Sequence, residues 1–329
     1  MPELTRRNLL AGAAATGAFV ATASFAQPDM VEAELDLSGK SILITGCSTG
    51  FGRLGAEYYA RLGATVFATM RNTPRPEAEE LEALAKSEGL DIRVMRLDVL
   101  DDNEVREAVS QAENELGGAL DVLINNAGLS FGGPIEIQDM EATKLTFDTN
   151  VYGPHRLSRA VLPAMRAARS GLIINITSQL GRVVVPAYGQ YSGTKFALEA
   201  MSEQMAYELV PHGVDVAIIE PGGYPTMIWS NANKNALDLL SRADGTHTSG
   251  YPELVAQLGR RTGGGSTDPM DVPRAIAMII AMPAGTRPLR TAVHPGAKPQ
   301  IAINDLTAEV QVGWLGNSPF GPWVKAVYD

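Results

Sequence analysis

Tyr191 and Lys195 stand four residues apart in Tyr191-Ser192-Gly193-Thr194-Lys195, and the chain continues Phe196-Ala197-Leu198-Glu199-Ala200-Met201, a helix-forming run. Positions i and i+4 share one helix face, so the phenol and the ammonium point into the same space. A free tyrosine has a pKa of about 10 and is a poor base at neutral pH. A cation held beside it favours the phenolate and draws that pKa toward the working range. Ser178 closes the apolar run Leu172-Ile173-Ile174-Asn175-Ile176-Thr177 and precedes the tyrosine by thirteen residues. A strand end facing a helix start is where a hydroxyl can meet that phenol. The chemistry open to such a set is proton transfer to or from a substrate oxygen. Taken alone, the pair favours a plainer reading, a core tyrosine with a surface lysine, because short matches are common by chance. Its meaning depends on the elements that position it.

Those elements alternate. Short apolar runs at 41–45, 65–70, 92–97, 120–125, 172–177, 214–220 and 289–293 read as strands. Between them, 52–62, 77–87, 101–116, 140–168, 191–210 and 271–282 carry helical spacing of apolar residues. Strands apolar throughout, separated by amphipathic helices, predict an α/β fold: a single-domain, Rossmann-type doubly wound parallel sheet covered on both faces. The Gly/Asn/Ser/Thr-rich stretch 222–270, with Gly263-Gly264-Gly265 near its end, reads as a substrate lid or binding loop. In the extension 295–329 only 300–312 reads as helix, and Trp314, Phe320 and Trp323 read as cover for a core or an interface.

The chain has 329 residues, 45% of them hydrophobic, which suffices for one large α/β core. A net charge of −10 argues against nucleic acid or an anionic membrane as partner. Cys47 is the only cysteine, so no intrachain disulfide exists. His155, His212, His247 and His294 lack ligand spacing, and no metal site is expected. Residues 1–26 read as a twin-arginine export signal: Arg6-Arg7, a weakly apolar run to Phe25, and Ser24-Phe25-Ala26 as the cleavage site. The apolar run is short for a membrane span. The expectation is a periplasmic or exported protein, with an ordinary cytoplasmic one as the alternative.

Thr45-Gly46-Cys47-Ser48-Thr49-Gly50-Phe51-Gly52 joins the first strand to the first helix. Glycines there permit a tight turn and close backbone approach to a pyrophosphate, whose charge the helix N-terminus stabilises. With this turn, the chain resembles the short-chain dehydrogenase/reductase family from about residue 37 to 294. The motifs arrive in that family's order: Gly46, Gly50 and Gly52; Asp98 followed by Val99; Asn125-Asn126-Ala127-Gly128; Asn150; Ser178; Tyr191 with Lys195; and Pro221-Gly222 after the sixth strand. The resemblance implies a catalytic set of Asn150, Ser178, Tyr191 and Lys195. It implies a cofactor site formed by Gly46, Ser48, Thr49, Gly50, Phe51, Gly52, Arg71, Asp98, Val99, Asn125, Ala127, Gly128, Tyr191, Lys195, Pro221 and Gly222. Ser178 would bind the substrate oxygen and Tyr191 exchange its proton. Lys195 would hold the nicotinamide ribose and lower the tyrosine pKa, and Asn150 would anchor a water leading to solvent. No metal enters this reaction.

Cofactor choice turns on the end of the second strand. An enzyme preferring NAD places an acid there, whereas here Thr69 takes that place and Arg71 follows, a pair suited to a 2′-phosphate. NADP is expected in preference to NAD. The expected reaction is hydride transfer between NADP(H) and a small to medium apolar ketone or alcohol. The rival readings are a nucleotide-binding sensor without turnover and a sugar-nucleotide epimerase, for which the tail is too short. Phe196, Ala200, Met201, Met205 and Leu209 on the catalytic helix suggest a homodimer or homotetramer.

Overall fold

The computed structural model describes residues 35–329, which form one compact unit. The export signal expected at 1–26 lies outside the described residues. Each apolar run that follows becomes a strand or pairs with a helix. In chain order the elements are β1 (Ser41–Thr45), α1 (Gly50–Arg61), β2 (Thr65–Met70), α2 (Pro76–Glu88), β3 (Ile92–Arg96), α3 (Asp102–Leu116) and β4 (Val122–Asn125). Then come α4 (Met140–Phe147), α5 (Gly153–Ala168), β5 (Leu172–Ile176), α6 (Tyr191–Leu209), β6 (Asp215–Pro221), α7 (Ile228–Arg242), α8 (Asp271–Ala281), β7 (Arg290–Val293), α9 (Gln300–Leu315) and α10 (Gly321–Tyr328).

The seven strands pair in the order β3-β2-β1-β4-β5-β6-β7, all parallel, with Ile42 between Val66 and Val122 in register. Strands buried on both faces need helices on both. One apolar core packs α1, α2 and α8 on the sheet through Tyr59, Leu81 and Ile276. The other packs α3, α5 and α6 through Val109, Leu157 and Leu209. The order reverses between β1 and β4, and the crevice beyond the strand ends at such a switch point is where an open α/β sheet binds its ligands.

Three stretches differ from the sequence reading. The segment expected as one helix over 140–168 is interrupted by a π-helical turn, Asp148–Tyr152. The wider turn breaks the 3.6-residue phase, and it buries Asn150 completely. The stretch 222–270 contains a full helix, α7, whose buried stripe is Ala232, Ala236 and Leu239. The first turns of α7, Ser230-Asn231-Ala232-Asn233-Lys234-Asn235, are rich in the weak helix formers serine and asparagine, which reads locally as loop although the apolar face is well defined. The Gly/Pro-rich end forms a second helix, α10, with proline at its start, the place where proline suits a helix. Of the tail aromatics, Trp314 is 75% exposed and covers no core in this chain. Among the described residues no helix is long and apolar enough to cross a membrane.

Candidate active site

A cleft of about 770 Å³ opens along the C-terminal ends of β1, β2, β3, β4, β5 and β6. Its first wall is the turn after β1. Gly46 and Gly50 adopt φ of 75° and 60°, the left-handed region that glycine alone enters freely. A Cβ on Gly52 would stand 2.4 Å from the Gly46 carbonyl oxygen. Gly52 therefore lets the helix tuck against the turn and does not itself line the cleft. Thr49 opens α1 without a side-chain cap, so the first-turn N–H groups keep free donors. Ser48, Thr49, Gly50 and Phe51 line the wall. This cradle fits the pyrophosphate of a dinucleotide. The neighbouring Cys47 is buried, its thiol donates to the Ile44 carbonyl, and burial pushes its pKa up to about 12. It is packing, not a nucleophile.

Beside this turn the strand-end reading needs correction. Thr69 is fully buried and donates to the Ile44 carbonyl at 3.0 Å, so it cannot meet a ribose. Met70 and Arg71 line the cleft at that place. Arg71 is exposed, and among the described residues it has no ion-pair partner. Arg75 nearby is held by Glu77 at 2.8 Å. Asp98 and Val99 line the same end, and Asp98 accepts from Leu100 N–H at 3.0 Å.

Asn125 does not reach the cleft. Its amide donates to Asn175 at 2.8 Å, and Asn175 donates on to Ser202, a buried polar bridge between β4, β5 and α6. Burying an amide demands such partners. The next residue, Asn126, fixes the wall by donating to the Thr45 carbonyl at 2.8 Å, and Ala127 and Gly128 face the cavity. Pro221 and Gly222 face it from β6.

Ser178, Tyr191 and Lys195 line the same cleft. Extended backbone at Ser178 ends β5, and its hydroxyl accepts from Leu180 N–H at 3.1 Å. Burial pushes the Tyr191 pKa up to about 12, and a hydrogen bond with Ser178 pulls the other way. Lys195 lies 5.6 Å from the Tyr191 ring centroid and donates to the Ile176 carbonyl at 2.9 Å. Burial brings its own pKa down to about 8, against the opposing charge of Glu199. Desolvation dominates at the tyrosine and holds the phenol in its protonated form, and the depression expected from the lysine is not among the influences on it. Asn150 backs the cleft without lining it. Its amide donates to the Leu129 carbonyl at 2.8 Å and to Thr194 at 3.1 Å, and its oxygen accepts from Leu129 N–H.

Tyr188 and Arg261 are among the cleft residues that escaped the sequence reading. The ring of Tyr188 stands between Trp229, edge-on at 6.4 Å, and the guanidinium of Arg261, 4.3 Å from its centroid. Tyr188 lies three residues before Tyr191, ahead of the helix that starts there, and its closeness in sequence was the available signal. Arg261 has no such neighbour in sequence. Among the described residues no cluster of three or more His, Cys, Asp or Glu is arranged to hold a metal.

Residues 40–237 match the family model described as short chain dehydrogenase. The chain belongs to this family. Among curated relatives of this short-chain dehydrogenase, the 3-ketodihydrosphingosine reductase of Bacteroides thetaiotaomicron is 39% identical over 60% of this chain and 68% of its own. The mitochondrial D-beta-hydroxybutyrate dehydrogenase of Mus musculus is 36% identical over 75% of each chain. A solved short-chain dehydrogenase from Streptomyces avermitilis is 30% identical, covers 84% of this chain and 96% of its own, and superposes with a TM-score of 0.63. The fold and the oxidoreductase family are those of the dehydrogenase described here.

Proposed function

We propose that this short-chain dehydrogenase interconverts an alcohol with a ketone or aldehyde, using NADP(H). The observation that carries the reading is the convergence of Ser178, Tyr191 and Lys195 on the cleft that also holds the glycine turn. Both relatives' names are those of enzymes for a keto or a hydroxy substrate. The nicotinamide, when bound, supplies or takes the hydride. Ser178 donates to the substrate oxygen. Tyr191 delivers its proton to that oxygen in reduction and recovers it in oxidation. Lys195 supplies positive charge beside the developing phenolate and binds the ribose, and Asn150, locked behind Gly128, orders the path by which the proton is replaced. A turnover screen of purified protein with NADPH and NADH against a panel of carbonyls tests the reading. Tight cofactor binding without turnover of any carbonyl or alcohol would leave a nucleotide-binding protein instead.

The NADP preference rests on Arg71, an exposed guanidinium lining the cleft with no ion pair among the described residues. Arg71→Ala is expected to weaken NADPH binding by about 1–3 kcal/mol, the scale of charge-assisted hydrogen bonds, with little change for NADH. Fluorescence titration of both cofactors checks this, and equal losses would show that Arg71 does not read the 2′-phosphate.

We also propose a homodimer or homotetramer. A second groove, about 480 Å³, runs between α5 and α6 and includes Leu162, Met201 and Met205. Phe196 is 39% exposed on the same helix. Leu209, expected at the interface, is instead buried in the core. Light scattering at micromolar concentration is expected to give a multiple of the chain mass; a monomer mass would end the proposal.

A further inference from the structure

Arg261 lines the catalytic cleft and is held there by an unusual set of contacts. Its backbone is clamped twice by Asn233 of α7, which accepts from Arg261 N–H at 3.0 Å and donates to the Arg261 carbonyl at 2.7 Å. The side chain passes over Gly132, where an added Cβ would lie 3.8 Å from Nε. Its guanidinium stacks on the Tyr188 ring at 4.3 Å. The glycines that follow have a reason in the same architecture. A Cβ on Gly263 would meet the Trp229 ring at 1.9 Å, so only glycine brings the chain back this close to the cleft.

What this guanidinium lacks is an anion. Among the described residues it has neither an ion pair nor a hydrogen-bond acceptor for its side chain, although it is partly removed from water. A guanidinium stays charged at any working pH, so burial is costly unless a partner arrives. The two carboxylates lining the cleft, Glu77 and Asp98, follow β2 and β3, across the sheet from β5 and the catalytic residues. Lys234, which follows Asn233 on α7 and also lines the cleft, likewise has no ion pair among the described residues. In a chain of net charge −10, a wall of the cleft bearing only positive groups is a choice of ligand.

We infer that the substrate carries a carboxylate, which Arg261 clamps while Tyr191 and Ser178 engage the reacting oxygen. The dehydrogenase thus acts on oxo or hydroxy acids, in place of the apolar ketones expected from sequence. This inference rests on the proposed hydride-transfer activity. Tyr188 links the two ends: its ring carries Arg261, and it lies near enough to Tyr191 to raise that phenol's pKa. A planar fork matches a carboxylate with two parallel hydrogen bonds.

The test compares acetoacetate with acetoacetamide, and levulinate with its amide, for wild type, Arg261→Ala and Arg261→Lys. Wild type is expected to favour the acid of at least one pair by roughly 10- to 100-fold in kcat/KM, mainly through KM. Arg261→Ala should lose that factor for the acid alone, and Arg261→Lys should regain part of it. NADPH titration of each variant should be unchanged. Equal losses for acid and amide, or no preference in wild type, would overturn the inference. If wild type turns over neither member of a pair, calorimetric titration of the cofactor-loaded protein with both acids decides. Arg261-dependent binding keeps the carboxylate site and leaves the hydride-transfer reading to the wider carbonyl screen; no binding removes the site itself.

Discussion

Tyr191→Phe is expected to lower turnover by about 10²–10⁴-fold while leaving cofactor affinity intact. The ring stays, so the packing beside Lys195 and Ser178 stays; only the transferable proton is lost. Burial holds this phenol near 12, so at neutral pH the wild-type group carries its proton and is ready to act as an acid. Reduction should therefore need no prior ionisation of Tyr191. The titrating partner is Lys195, with its pKa brought down to about 8. Below that value the ammonium is present to stabilise the phenolate formed on proton delivery; above it the charge is lost. Carbonyl reduction is expected to be level up to about pH 7 and to fall as pH rises through about 8. Lys195→Met should remove that descent and weaken cofactor binding. Stopped-flow rates across the pH range measure both effects. A Tyr191→Phe enzyme with near-normal turnover would end the assignment of the proton to Tyr191.

The parts of this site that local rules dictate were legible from the chain alone. Gly46, Gly50 and Gly52 report a turn because no other residue accepts those torsions or that closeness. Tyr191 and Lys195 report a shared helix face because the period is fixed. The strands report themselves because a sheet buried on both sides admits few polar residues. Other features depend on exact phase or distant partners. Reading Thr69 as the ribose neighbour placed the strand end one residue early, and in a strand one residue exchanges the faces. Asn125 and Asn126 are adjacent and chemically identical, yet one bridges Asn175 inside the sheet and the other braces the cleft. Arg261 reaches the catalytic tyrosine's neighbourhood from 70 positions away in sequence, through Asn233 and three glycines. No local pattern encodes such a meeting.

The same is true of the charges beneath the active site. Arg290, on β7, forms ion pairs with Glu199 at 2.8 Å and Glu203 at 2.7 Å, all three nearly excluded from solvent. Glu220, fully buried on β6, stands 3.9 Å away and takes two hydrogen bonds from Asn304 of α9. Glu199 also accepts from Thr177, the residue before Ser178, at 2.6 Å. One cation thus serves three carboxylates that tie the catalytic strand end to the C-terminal helices. Removing one partner of a buried pair leaves uncompensated charge, so Arg290→Leu is expected to destabilise the fold by about 3–5 kcal/mol. Arg290→Leu combined with Glu203→Gln should recover part of that loss.

Glu220 gives the cluster a pH signature. Burial, and then the charge of Glu199, raise its pKa from 4.5 to about 7. Its folded form therefore binds a proton more tightly than its unfolded form. The stability contributed by that proton is complete below about 4.5 and is lost as pH rises through about 7. Glu203 is shifted the other way, downward overall, because Arg290 and the Tyr207 and Tyr328 hydroxyls outweigh its burial, so its contribution survives above its unfolded pKa. The descent between pH 5 and 7.5 should then belong to Glu220. Glu220→Gln keeps the shape without the charge, and it is expected to flatten that part of the stability profile and raise stability at pH 8. Urea midpoints measured at half-unit pH steps decide the matter. A variant with the wild-type slope would mean that Glu220 is ionised throughout and that Arg290 neutralises it despite the distance.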